Sequence, residues 1–225
     1  MPQSVAALNE VHNMYARFFK LFLDFVLSLM ALIVLSPVLL VLTVLGAIKM
    51  KGNPFFTQLR PGKDEKIFRL IKFRSMTCEK DKDGNLLPDE QRLTRYGKLL
   101  RATSLDELPE LINILKGDMS IVGPRPLAVQ YLGWYNDEEK RRHSVRPGLT
   151  GLAQVHGRNA TTWEQRFAYD IAYVDHITLC GDIKILFQTV SIVFRRSGIG
   201  VRGVDSPMDF DVYRRQQMEE GGRIK

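Results

Sequence analysis

Residues 25–48 read "FVLSLMALIVLSPVLLVLTVLGAI" and hold no charged side chain. As a straight α-helix this stretch would extend about 36 Å at 1.5 Å per residue, enough to cross a hydrocarbon core of about 30 Å. It is too long for the apolar core of a signal peptide, and no small-residue cleavage site follows it. Ser36-Pro37 falls at its middle. Proline removes a helical hydrogen bond and bends the helix, and a neighbouring serine can bond the freed carbonyl. Each arm is then about eleven or twelve residues, roughly 17 Å, or half the membrane core. Basic residues flank both ends, Arg17 and Lys20 before and Lys49 and Lys51 after, whereas a spanning helix usually carries them on one side. Two readings fit: a plain spanning anchor, and a re-entrant helix-break-helix that enters and leaves by one face. Lys20 and Asp24, four residues apart, are spaced to pair at the headgroup level.

The whole chain has 225 residues and a net charge of +7. That length suits one catalytic domain with a small appendage. The positive balance points to anionic partners: nucleic acid, anionic lipid or phosphorylated substrates. The two cysteines, Cys78 and Cys180, belong to no Cys-x-x-Cys or Cys/His cluster. This argues against a disulfide framework and a zinc site, and favours a reducing, cytoplasmic face. Residues 1–51 are expected to form the N-terminal segment with the apolar stretch, 52–205 the main domain that would hold any catalytic site, and 206–225 a polar tail.

Within the soluble part, "FFTQLR" (55–60) and "IFRLIKFR" (67–74) read as a short hairpin around Pro61-Gly62-Lys63-Asp64. Residues 77–90 are a polar excursion with an Asp-Gly turn. Helices are expected over 91–101, after Ser104, and after Pro126. Thr161-x-x-Glu164 fits a capping box opening a helix that reaches His176. Ile183, Leu186, Phe187, Val190, Val193 and Phe194 recur at helical spacing, and their apolar face suits a core or a membrane interface. The fold class is therefore α+β and helix-rich.

The segment richest in chemistry is "SLDELPELINILKGDMSIVGPRP", residues 104–126. Ser104-x-x-Glu107 fits a capping box, and two acids in a first turn favour the helix dipole, so Asp106 and Glu107 need no catalytic role to be there. Pro109 fits that helix start imperfectly. Further on, Pro124 and Pro126 fix the backbone on both sides of Arg125, which leaves its guanidinium little entropy to lose and a planar fork for phosphate oxygens. Arg101, Arg146, Arg158, Lys72 and Arg74 add charge nearby in sequence, and Gly148, Gly151 and Gly157 allow amides to approach a ligand. Such a set beside two carboxylates describes a site for a metal-bound diphosphate. A carboxylate can attack phosphorus and form an acyl phosphate, while arginines and Mg²⁺ offset the repulsion of the two anions. No P-loop or Gly-x-Gly-x-x-Gly stands at a strand–helix junction, which disfavours a kinase or a dehydrogenase.

These residues give the chain a close resemblance to the small monotopic phosphoglycosyl transferases of the bacterial sugar transferase family, and to its PglC-like members. The resemblance runs from about Phe18 to Gly198. It rests on "LSPVLL" (35–40), "FTQLRPGKDEKIF" (56–68), "KFRSM" (72–76), "RATSLDELPEL" (101–111), "LKGDMSIVGPRPL" (115–127) and "RPGLTGLAQVHGRN" (146–159). It implies a re-entrant membrane hairpin broken at Ser36-Pro37, entered past Lys20 and Asp24, with a cytoplasmic domain and interfacial amphipathic helices at the bacterial inner membrane. It implies transfer of a phosphosugar from a UDP-sugar to undecaprenyl phosphate with release of UMP, by way of a covalent aspartyl-phosphosugar. Asp106 matches the nucleophile and Glu107 its dyad partner, with Mg²⁺ at the dyad. Arg125 matches the arginine of the Pro124-Arg125-Pro126 motif, and Arg101 and Arg158 match other phosphate-binding arginines. One departure is Leu21, where the family's Lys-Arg-x-x-Asp pattern has arginine. No nucleic-acid partner is implied. The competing readings are a non-enzymatic membrane-attached module that binds anionic lipid or nucleic acid through its basic face, and a membrane-bound phosphatase or nucleotidyltransferase.

Overall fold

The protein is described here as a computed structural model. It covers residues 14–157, 161–195 and 208–222, and side chains throughout these except at 194, 195, 221 and 222.

A π-helical turn, Tyr15–Phe19, leads into helix α1, Lys20–Lys49. It is the one described helix long and apolar enough to cross a membrane. Helical structure carries on through Ser36-Pro37, with Pro37 inside the helix. Proline cannot donate to the carbonyl four residues back, that of Ile33. The Ser36 hydroxyl donates to that carbonyl instead, at 2.8 Å.

One stripe of α1 lies along the folded domain from end to end. Near its start, Asp24 accepts hydrogen bonds from the Ser120 hydroxyl and the Ile121 amide. In the middle, Ala31, Leu32 and Leu35 pack on a core of Phe68, Leu70, Leu111, Ile114 and Met119. Further along, Leu39 and Leu42 meet Phe73 and Leu100, and the Tyr96 hydroxyl donates to the Leu42 carbonyl. Phe22, Ile33, Val34, Leu40 and Ile48 face outward, each more than half exposed.

Strands β1 (Phe55–Pro61) and β2 (Ile67–Phe73) form the expected antiparallel hairpin, paired from Phe55 with Phe73 to Pro61 with Ile67. Helix α2 spans Arg95–Thr103, shifted a few residues from the expected 91–101. A 3-10 turn, Leu105–Glu107, and helix α3, Glu110–Leu115, follow. The capping box expected at Ser104 does not form: Ser104 closes α2 in the left-handed conformation and makes no side-chain cap bond. Pro109 sits at the start of α3, where its missing N–H costs nothing. Helix α3 stops at Lys116-Gly117, with Gly117 at φ +80°.

Strand β3 (Ser120–Val122) pairs in parallel with β4 (Gly148–Thr150). The pair is close-set: a Cβ on Gly148 would lie 2.1 Å from the Gly123 nitrogen. The helix expected after Pro126 is a 3-10 stretch, Val129–Trp134. Helices α4 (Leu152–Gly157), α5 (Trp163–Asp175) and α6 (Leu179–Arg195) complete the domain. The second capping box sits one residue later than expected, between Thr162 and Gln165. The polar tail contains a helix, α7 (Phe210–Gly222), whose Phe210 is fully buried with Leu127, Tyr131, Tyr135, Trp163 and Phe167.

Candidate active site

The 3-10 turn places Asp106 and Glu107 side by side, both buried, between α2 and α3. Arg125 follows β3, and its Nη2 donates to Glu107 Oε1 at 2.6 Å. The dyad and the Pro-Arg-Pro loop, eighteen residues apart in sequence, are thereby one site. From β2, Lys72 donates to the same Glu107 oxygen at 3.2 Å and lies 2.9 Å from Glu110 Oε1. Glu107 first, then Glu110 and Asp106, holds the Arg125 guanidinium charged well above the ordinary arginine range. Burial raises the Glu110 carboxyl above its usual value, Lys72 opposes this, and Glu107 adds to it.

Each charged group has its own support. Asn113, buried one turn along α3 from Glu110, accepts from the Ile71 amide and donates to the Arg69 carbonyl. This ties α3 to β2 and so sets Lys72 against Glu110. The Arg125 backbone is held by Arg142, whose Nη2 donates to the Arg125 carbonyl at 2.7 Å. Arg142 in turn donates twice to Asp170 Oδ2, at 3.0 and 2.8 Å, in a fully buried pair. Arg60, at the end of β1, faces the same region. Burial and then the Arg125 charge lower its pKa, and its Nε has no hydrogen-bond partner among the described residues. Two guanidiniums gathered in one region favour an anionic ligand there.

Of the other residues expected at the site, Arg101 lies in the last turn of α2, just before the dyad, and donates to the Ser75 hydroxyl at 2.9 Å. Gly97 makes this approach possible, since a Cβ there would fall 1.8 Å from the Ser75 carbonyl oxygen. Arg158 lies outside the described residues. Ser36 and Pro37 are in mid-helix. Lys20 and Asp24 are both buried against the domain; they pair at 3.8 Å, as their spacing predicts, and Lys20 lies closer still to Asp182, at 2.7 Å.

The sequence reading missed Glu110, Asn113, Arg142 and Asp170. One signal for Asp170 was available. It falls on the same helical stripe as the buried Trp163 and Phe167, and a carboxylate on an apolar stripe needs a buried cation.

Asp106 and Glu107 offer hard oxygen donors at consecutive positions, which fits Mg²⁺, an ion usually held by one or two carboxylates plus substrate phosphates. Among the described residues no group of three or more His, Cys, Asp and Glu is arranged to hold a metal by protein ligands alone.

Residues 15–196 match the model of the family described as bacterial sugar transferase. The chain is 52% identical over 162 residues to an uncharacterized sugar transferase, EpsL, of Bacillus subtilis, covering 71% of this chain and 80% of the relative. It is 39% identical over 209 residues to the undecaprenyl-phosphate galactose phosphotransferase of Salmonella typhimurium, covering 84% of this chain. It is 39% identical over 181 residues to the UDP-glucose:undecaprenyl-phosphate glucose-1-phosphate transferase of Caulobacter vibrioides, covering 76% of this chain and 68% of the relative. The chain spans only 43% of the length of the Salmonella relative.

Proposed function

The chain belongs to the bacterial sugar transferase family, and from that premise we propose that it moves a phosphosugar from a UDP-sugar to undecaprenyl phosphate. The observation that carries this reading is the Glu107–Arg125 contact, which joins a buried carboxylate pair to a rigidly held guanidinium. The named substrates of the Salmonella and Caulobacter relatives support the same choice of acceptor.

An Asp106 oxygen attacks the phosphorus that bears the sugar. The bond from that phosphorus to the UMP oxygen breaks, and UMP leaves with the electron pair. A phosphate oxygen of the lipid then attacks the same phosphorus and releases the Asp106 carboxylate, giving a lipid diphosphate-sugar. Splitting the transfer in two lets one site serve a water-soluble donor and a membrane-held acceptor in turn. Arg125 and Arg60 offset the charge that collects on the equatorial oxygens, and they are already oriented before the substrate arrives. Lys72 and Arg125 hold Glu107 beside the nucleophile. Asp106 and Glu107 would hold Mg²⁺, which would supply charge neutralisation.

Helix α1 supports a re-entrant membrane arrangement. A helix of this kind is about 45 Å long, yet residues near both of its ends touch one folded domain. A helix that crossed the bilayer upright would carry one end away from a domain at the surface. The outward apolar face and the basic residues at both ends suit a helix that enters and leaves at the cytoplasmic leaflet of the bacterial inner membrane.

The test is UMP release from a panel of UDP-sugars, with Mg²⁺ and undecaprenyl phosphate, together with transfer of sugar label into the lipid. Label in lipid with stoichiometric UMP is expected for at least one sugar. A binding module would release none, and a phosphatase would send the label to water.

A further inference from the structure

Helix α7 lies beyond residues 15–196, the segment that matches the family model. Its first residue, Phe210, is nevertheless fully buried at the centre of an aromatic cluster behind the Pro-Arg-Pro loop. We propose that Phe210 is a positioning residue for Arg125, acting through Tyr135, Phe167 and Arg142; the proposal rests on the transferase reading above.

The contacts form a continuous line. Phe210 stacks on Tyr135, with centroids 5.3 Å apart and planes at 27°, and meets Phe167 edge-on at 5.0 Å. The Arg142 guanidinium lies over both of those rings, at 5.8 and 5.7 Å. Its Nη2 ends the line on the Arg125 carbonyl. A second, shorter line runs through Leu127, the neighbour of Pro126, which packs in the same cluster.

Two features separate this from ordinary core filling. Arg142 carries a charge in an interior with little water, so its orientation depends on the rings around it as well as on Asp170. The ring that closes the cluster also comes from a helix with its own polar fastenings. The Trp163 indole donates to the Met208 carbonyl, the Tyr131 hydroxyl donates to Asp209, and Arg214 pairs with Glu139. These fastenings fix where the Phe210 ring sits. Removing it leaves a void of ring size, into which Tyr135 and Phe167 can tilt. A shift of about 1 Å at a positioning group can cost on the order of 10²-fold in rate.

The experiment compares Phe210→Ala and Phe210→Leu in the full chain in detergent micelles, by hydrogen exchange and by donor turnover. In Phe210→Ala the peptide holding residues 123–127 should exchange at least about tenfold faster, while the β1–β2 hairpin stays at the wild-type rate. Phe210→Leu, which keeps most of the buried volume, should stay near wild type and guards against simple misfolding. In turnover, Phe210→Ala should lose about 10- to 100-fold alone, but less than about threefold when Arg125 is already alanine, because the group it positions is gone. Unchanged exchange over 123–127 in a folded Phe210→Ala, or the same fractional loss in both backgrounds, overturns the proposal. A wild-type protein with no transferase activity would overturn the function instead, and the exchange result would still decide the packing line.

Discussion

Arg125 Nη2 and Lys72 Nζ converge on one oxygen of Glu107, at 2.6 and 3.2 Å. The guanidinium comes from the loop after β3 and the ammonium from β2, so two separate parts of the fold fix a carboxylate whose sequence neighbour is Asp106. The convergence requires more than positive charge, because Arg125 is held at both ends: its carbonyl by Arg142, its side chain by Glu107.

Arg125→Lys therefore tests shape against charge. Lysine keeps the charge but offers a point donor in place of a planar fork. Turnover should fall by about 10²-fold, the scale of a misplaced catalytic contact. Steady-state UMP release measures it. A lysine variant that recovers most of what alanine loses would mean that Arg125 contributes charge alone.

Asp182→Asn tests the foot of α1. Lys20 and Asp182 are both buried, and Tyr15 and Tyr173 also donate to Asp182. Removing the anion leaves a buried ammonium whose remaining carboxylate, Asp24, is 3.8 Å away. The expected cost is about 3 kcal/mol, at the low end for a broken buried pair. At roughly 2–4 °C per kcal/mol for a domain of this size, the melting temperature should drop by about 10 °C. Thermal melts in detergent decide it, and an unchanged midpoint in the single variant would show that the pair contributes little.

Acid stability should depend on His143. Burial, with the Arg142 charge beside it, pushes its pKa down to about 3. Neither ring nitrogen has a hydrogen-bond partner among the described residues, and Glu65 at 3.6 Å is too distant to hold a proton. The unfolded chain binds a proton near pH 6.5 and the folded one does not, so stability falls as pH drops below 6.5 and stops falling near 3. At pH 5 the loss is about 2 kcal/mol relative to neutral pH. His143→Gln should remove that part of the slope, as read by denaturant titrations at pH 7 and pH 5. A slope the same as wild type would place the acid sensitivity elsewhere.

How much of this could be read from the sequence varies with the physical signal. A charge-free run announces α1, and alternating side chains around Pro-Gly announce the hairpin. Which stripe of α1 faces the domain could not be read, because nearly every face is apolar. Ser104 was misassigned for a definite reason: a serine three residues before a glutamate marks a helix start, but here the left-handed turn that closes α2 takes that serine. Phe210 was missed because one aromatic residue in a polar segment carries no periodicity. Glu107 and Arg125 could each be recognised from their motifs, but their contact, and the Arg142–Asp170 pair behind it, depend on tertiary packing.

Topology can be read with single cysteines, once the exposed Cys78 and Cys180 are replaced. A cysteine placed before Phe18 should resist a membrane-impermeant reagent applied to intact cells, and so should one in α7. Replacing Ser36-Pro37 by Ala-Leu gives the Ile33 carbonyl a backbone amide in place of the Ser36 hydroxyl and removes the proline ring, and should make a spanning arrangement competitive. Labelling of the wild-type N-terminus from outside would rule out re-entry.

The most direct measurement is a rapid-quench trap of the first half-reaction. Enzyme and Mg²⁺ are mixed with a UDP-sugar labelled in the sugar, without lipid acceptor. The account predicts that label stays on the protein, that hydroxylamine releases it as expected for an acyl phosphate, and that Asp106→Asn carries none. An unlabelled wild-type protein that still transfers sugar to undecaprenyl phosphate, with sequential kinetics, would contradict it and show that the lipid phosphate attacks the donor directly.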